Sequence, residues 1–111
     1  MSETIVVDET TGGMKGSKLA RFDLLPWNEL REVAELYGRG AEKYDERNWE
    51  KGYKWSLSFA ALHRHLQQFW TGETYDQETG SHHLTSVVFH ALALMYFGNN
   101  DKGTDNRPPT S

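Results

Sequence analysis

Between Gly40 and Gly52 the chain reads Gly-Ala-Glu-Lys-Tyr-Asp-Glu-Arg-Asn-Trp-Glu-Lys-Gly, a stretch whose side chains suit a flat, charged ligand. Tyr44 and Trp49 offer flat faces on which a nucleobase could stack. Lys43 and Arg47 offer positive charge for phosphates, the arginine as a planar fork and the lysine as a point charge. Asn48 can both donate and accept. The competing reading is a helix C-terminus running into a solvated loop, with Tyr44 and Trp49 laid on the core.

The histidines form a second group. His63 and His65 are two residues apart, about 200° around a helix, so they cannot grip one ion together. His65 sits near the Leu62, Leu66 and Phe69 side and is either a group poised beside a site or a core-edge histidine. His63 is read as structural or solvent-facing. His83 and His90, seven apart, share a helix face about 10 Å long, too far apart for one ion but able to line one groove. His82 and His83, just past Gly80, are either ligand contacts or decoration of a helix start.

The acids are the third group. Glu32 and Glu35 have Glu-x-x-Glu spacing, and Glu73 and Asp76 have Glu-x-x-Asp spacing. Oxygen ligands of this kind suit Mg2+ or Mn2+, which in turn hold phosphates. The same spacing also arises on any solvated helix face, and the second pair falls in a loop. No nucleophile elbow, phosphate-binding P-loop or dinucleotide fingerprint is present.

The elements that must position these groups are helical. A first helix starts near Pro26, a residue suited to a first turn. Its apolar stripe is Leu30, Val33, Ala34, Tyr37, Ala41 and Tyr44. Gly38 and Gly40 each weaken it by roughly 1 kcal/mol, so a kink or break is expected there. A second helix runs from about Lys54 to Trp70 with Trp55, Phe59, Leu62, Leu66 and Phe69 as its stripe, and Gly72 stops it. A third runs from about Ser81 to Phe97 with Leu84, Val87, Val88, Ala91, Leu92 and Met95 as its core face. The expected fold is all-α, a small bundle of three helices, or four if the first breaks. Residues 1–17 are expected to be flexible, with Ile5-Val6-Val7 as the only candidate strand. Residues 18–98 form the folded domain, and 99–111 a disordered tail.

Composition bounds the rest. A chain of 111 residues makes one small domain. The net charge of −4 argues against stable nucleic-acid binding, which needs a basic surface. The absence of cysteine removes thiolate chemistry and disulfides. No apolar run is long enough to span a bilayer and no signal-peptide pattern is present, so an intracellular, soluble protein is expected. Four Trp, five Tyr and five Phe exceed what three short helices cover among themselves. A homo-oligomer, most simply a two-fold dimer through the second or third helix, is therefore expected.

The series Arg21-Phe-Asp-Leu-Leu-Pro26, Gly40-Ala-Glu-Lys-Tyr44, Arg47-Asn-Trp49, Leu62-His-Arg-His-Leu66, Gly72-Glu73, Asp76-Gln-Glu-Thr-Gly80 and His83-Leu84 resembles the phage dATP/dGTP diphosphohydrolase N-terminal domain family. The paired acids are also similar to those of all-α nucleotide pyrophosphatases of the MazG type. The resemblance covers roughly residues 18 to 97. It implies a protein of phage or prophage origin, working in the cytoplasm of an infected bacterium. The implied reaction cleaves purine deoxynucleoside triphosphates to monophosphate and pyrophosphate with Mg2+ or Mn2+. It points to His65 as a catalytic group and to Arg21, Lys43, Tyr44, Arg47, Asn48, Trp49 and His83 as substrate contacts; the acid spacing adds Glu35 as a catalytic group, and the face shared with His83 adds His90 as a substrate contact. Glu35, Glu73, Asp76, Glu78 and His83 become the candidate metal ligands. Ser86 stands where the family usually carries a further histidine, and His90 where it often carries asparagine. The departure at Ser86 keeps a second reading open. In that reading the protein binds a nucleotide, including a cyclic immune signal, and sequesters it without turnover.

Overall fold

The computed structural model describes residues 4–109. A hairpin of β1 (Thr4–Val7) and β2 (Met14–Ser17) precedes three helices, α1 (Trp27–Lys43), α2 (Trp55–Trp70) and α3 (His83–Asn100). Short 3-10 turns lie at Phe22–Leu24 and Asn48–Lys51. The all-α expectation thus holds for the domain body, with a small sheet added.

The hairpin corrects the expectation of a flexible lead-in, residues 1–3 of which lie outside the described residues. Ile5 pairs with Gly16 and Val6 with Lys15. The Asp8 carboxylate closes the turn by accepting from the backbone N–H groups of Thr10 and Thr11, both at 2.9 Å. Strand β2 carries Gly16 and lacks apolar alternation, so its sequence gives no sign that it answers β1.

Helix α1 starts after Pro26, whose carbonyl accepts from the Leu30 N–H at 3.0 Å. It passes through Gly38 and Gly40 unbroken. Tyr37 packs against Phe89 of α3 and Trp49, with ring centroids 4.9 and 5.8 Å away. Tertiary packing of this kind offsets the propensity cost of the glycines. The helix then stops at Lys43, so Lys43 and Arg47 do not share a helical face.

Helices α2 and α3 form the main contact of the fold, and it is built the other way round from the sequence expectation. The buried residues of α3 are His83, Thr85, Ser86, Ala93 and Phe97, and those of α2 are Ser58 and His65. Val88, Leu92 and Met95, assigned to the core by periodicity, are exposed, as are Phe59 and Leu66 of α2. Hydrophobic periodicity identifies which face avoids water, not whether the surface covering it belongs to the same chain. Here a stripe of small polar and imidazole side chains faces inward, and much of the apolar stripe faces out.

The C-terminal segment also departs from expectation, although residues 110–111 lie outside the described residues. The Thr104 carbonyl accepts from the Trp55 N–H at 3.0 Å, and Asn106 Oδ1 accepts from the Ser56 N–H at 3.0 Å. These are first-turn amides of α2, which no side chain of its own N-cap, Lys54, satisfies. Trp55 Nε1 donates to the Lys102 carbonyl at 3.0 Å, and Arg107 lies over the Trp55 ring. Gly103 and Gly52, both at positive φ, permit the approach: a Cβ on either would come within 2.2 Å of backbone on the other side. The tail caps a helix instead of burying apolar surface, which is why composition reads it as disordered.

Candidate functional site

A cavity of about 1000 Å3 lies between the C-terminal half of α1, the 45–53 segment and the first turns of α3. Lys43, Tyr44, Arg47, Asn48, Trp49 and His90 all line it. Their roles differ from the sequence expectation in part. Tyr44 is exposed, with Lys43 Nζ over its ring, 5.2 Å from the centroid. Trp49 is half-buried, edge-on to Tyr37, Phe89 and Tyr96, so it forms the cavity wall and is not an open stacking platform. Arg47 sits in the left-handed backbone region at φ 60° and pairs with Glu50 at 2.6 Å. Arg39, passed over in the sequence, also lines the cavity and reaches Ser81 Oγ at 2.5 Å, tying α1 to the loop before α3.

From the cavity a polar seam runs between α2 and α3. Tyr53 Oη and Ser58 Oγ are 2.6 Å apart, and Ser58 Oγ is 2.9 Å from His90 Nδ1. The His90 ring stacks on that of His65 at 6.4 Å and 17°. His65 Nδ1 lies 2.9 Å from His83 Nδ1, and His83 Nε2 donates to Glu73 Oε1 at 2.7 Å. Asp76 Oδ2 is 3.8 Å from His65 Nδ1. His83 is fully buried and His65 nearly so. Together His65, Asp76 and His83 form a possible metal-holding group, their ligand atoms all within 4.8 Å of one another.

The loop between α2 and α3 aims the acids. Gly80, at φ 77°, lets the chain reverse, and its N–H donates to the Asp76 carbonyl at 2.7 Å. The Asp76 N–H donates to the Ser81 carbonyl and the His83 N–H to the Thr74 carbonyl. This brings Glu73 and Asp76 back onto the start of α3, where His82 caps the helix by accepting from the Leu84 N–H at 3.0 Å. Of the two open readings at that position, His82 is therefore the cap and His83 the buried group.

The structure does not bring every nominated residue together. Glu35 is exposed on α1, outside both the cavity lining and the histidine cluster. Arg21 is exposed and paired with Asp23 at 2.7 Å, away from the cavity lining. Glu78 donates its backbone N–H to Asp76 Oδ1, and its exposed carboxylate acts on His65 only through its field. Sequence reading missed Arg39, Tyr53, Ser58 and Ser81. A signal for Ser58 was present: it lies seven residues before His65, and His83, Ser86 and His90 repeat at three and four, so both helices carry a polar stripe at helical spacing.

Burial, reinforced by the Arg64 guanidinium, holds His65 below its ordinary pKa against the pull of Asp76 and Glu78. Burial, with His65 and Arg64, pushes His90 down to about 4. His90 is thus neutral in the folded chain over a range where the unfolded chain takes up a proton. Its share of stability is complete above about pH 6.5 and is lost as pH falls towards 4. The loss expected at pH 4.5 is about 2.5 kcal/mol at most, less for the part of the ring that solvent reaches. Melting curves of metal-free wild type and His90→Asn between pH 7 and 4.5 should diverge, with the variant flatter; parallel profiles would count against a buried neutral His90.

These features define a small helical domain with a cavity of nucleotide size and a buried histidine–carboxylate cluster at its back. Residues 9–107 match the family described as dATP/dGTP diphosphohydrolase, N-terminal, and the chain belongs to that family. It is also 30% identical over 88 residues to a dATP/dGTP diphosphohydrolase of Salmonella phage PMBT28, an alignment covering 79% of this chain and 30% of that protein. The chain thus spans about a third of the length of the curated relative it matches. No solved structure matches it significantly. The family match extends into the docked C-terminal segment and past β2, beyond the 18–97 range of the resemblance noted in the sequence.

Proposed function

We propose that the chain handles purine deoxynucleoside triphosphates in the cytoplasm of an infected bacterium and hydrolyses them to monophosphate and pyrophosphate. The observation that supports this most is the cavity: Tyr44, Lys43, Arg39 and Arg47 line it, and its floor reaches His90, the near end of the histidine seam. The activity for which the phage relative is named points the same way. Among the described residues no helix is long and apolar enough to cross a membrane.

In this reading the base stacks on Tyr44 while the cations hold the phosphates. A water oxygen bonds to the α-phosphorus, the bond to the α–β bridging oxygen breaks, and pyrophosphate leaves with the electron pair. The water's proton passes to the histidine–carboxylate cluster, to His65 or to a carboxylate beside it. Lys43, Arg39 and Arg47 offset charge on the departing group. A divalent ion, when bound, neutralises the phosphates and orders the water. The residues fit such an ion: Asp76, Glu73 and His83 of the nominated set converge, whereas Glu35 does not. With imidazoles among the donors, Mn2+ suits the group better than Mg2+.

The deciding experiment incubates dATP and dGTP with the protein and Mn2+ or Mg2+ and separates the products. Monophosphate and pyrophosphate in many-fold excess over protein are expected. Nucleotide bound tightly and returned intact on denaturation would replace hydrolysis by sequestration. Arg47→Ala should weaken nucleotide binding by about 1.5–3 kcal/mol, the scale of a lost charge-assisted contact. Its melting temperature should stay near wild type, since the side chain is mostly exposed and, among the described residues, pairs with Glu50 alone. Calorimetry on both proteins checks this, and unchanged affinity would make the Gly40–Gly52 stretch a scaffold.

The working unit in this proposal is a homo-oligomer. Leu57, Phe59, Leu66 and Trp70 on α2, and Val88, Leu92 and Met95 on α3, are all exposed in the single chain, more apolar surface than a monomer ordinarily leaves in water. Light scattering at micromolar concentration should give at least twice the chain mass of 12.8 kDa. A monomer would count against the assembly.

A further inference from the structure

We propose that His65, His83 and Asp76 form a site for a transition-metal dication of the Mn2+, Co2+ or Zn2+ class, with Glu73 as its outer carboxylate, and that Mg2+ is a poor occupant. The first support is spacing. An ion bound at about 2.0–2.2 Å sets neighbouring ligand atoms roughly 3–3.5 Å apart. The two Nδ1 atoms are 2.9 Å apart, Asp76 Oδ2 is 3.8 Å from His65 Nδ1, and all three ligand atoms fall within 4.8 Å.

The second support is the orientation of the rings. Glu73 Oε1 accepts from His83 Nε2–H at 2.7 Å, so the lone pair of His83 is on Nδ1 and points at His65. A carboxylate on the distal nitrogen is the arrangement that fixes the tautomer of a metal-binding histidine. Two buried imidazoles meeting nitrogen to nitrogen can share only one proton between them, and a cation placed there uses both lone pairs. The third support is rigidity. The histidines stand on α2 and α3, and Asp76 on a turn closed by Gly80, so the donors are held before any ion arrives.

The ligand chemistry gives the selectivity. Mg2+ demands oxygen donors in near-ideal octahedral geometry, whereas imidazole pairs with a carboxylate suit the later divalent ions. Three protein ligands also leave positions open for water or a phosphate oxygen. This assigns His65 to the metal and leaves proton acceptance in the proposed hydrolysis to a carboxylate of the same cluster.

The inference deepens the metal component of the proposed function, but it is tested without nucleotide. Full-length protein stripped with chelator is titrated with CoCl2, following the visible d–d absorption, and with MnCl2, ZnCl2 and MgCl2 by calorimetry. One Co2+ per chain is expected, displaced by Zn2+ and not by a large excess of Mg2+, with a rise in melting temperature on loading. Asp76→Asn and His65→Ala should weaken Co2+ binding at least 100-fold, and Glu73→Gln about 10–100-fold. His63→Ala, on the exposed side of α2, should leave stoichiometry and spectrum unchanged. Circular dichroism establishes that each variant is folded. No saturable Co2+ binding by the wild type, equal affinity for Mg2+, or full binding by folded Asp76→Asn and His65→Ala would each overturn the assignment. A chain that binds the ion as expected yet turns over no nucleotide would leave this site standing and remove the hydrolase reading alone.

Discussion

Replacing Phe97 with alanine is expected to lower folding stability by about 3–5 kcal/mol, near the upper end for a single core truncation. Phe97 is fully buried, its ring edge-on to Tyr53 at 5.1 Å and 6.4 Å from Trp49. It therefore joins α3 to the wall of the nucleotide-sized cavity. The only other buried apolar side chains among the described residues are Val33 and Ala93, so little is available to collapse into the void. Urea denaturation with matched m-values is the measurement. A loss below about 1 kcal/mol would mean that the stability of the chain comes from its outward apolar faces in an assembly and not from its own core.

Asp76→Asn is expected to reduce nucleotide turnover by about 10²–10⁴-fold, the range for losing a positioned acid–base group. The substitution separates charge from shape. Asn keeps the Oδ1 acceptor for the Glu78 N–H, and the backbone bonds of Asp76 to Ser81 and Gly80 do not involve the side chain. With shape and these hydrogen bonds kept, stability should change by no more than about 1 kcal/mol. What is lost is the negative charge 3.8 Å from His65 Nδ1. Single-turnover measurements with dATP, alongside affinity, separate the effects: a fall in rate with affinity largely kept is expected. An unchanged rate in a protein that does hydrolyse dATP would move the chemistry away from the histidine cluster.

The sequence by itself determined the helices. Pro26 before α1, Gly72 after α2 and the periodicity of each segment are local signals, and local physics suffices to read them. It also brought forward the Gly40–Gly52 stretch, because aromatic and cationic residues so close in the chain remain close in any fold. The family resemblance, resting on ordered motifs, was legible for the same reason, and the match over residues 9–107 bears it out.

Tertiary structure decided the rest. Periodicity marked one face of α3 as apolar, but only the packing of α2 on α3 turned Ser58, His65, His83 and Ser86 inward and left Leu92 and Met95 outside. Glu35 and Glu73 have equal claims as metal ligands in the sequence. A loop reversal at Gly80 brings Glu73 and Asp76 to His83, while Glu35 stays on the exposed surface of α1. The C-terminal segment looked unstructured because it has no apolar residues to bury, yet it supplies the acceptors that the first amides of α2 require. Each of these outcomes depends on a partner distant in sequence, and neither propensity nor periodicity carries information about which distant residue will answer a local need.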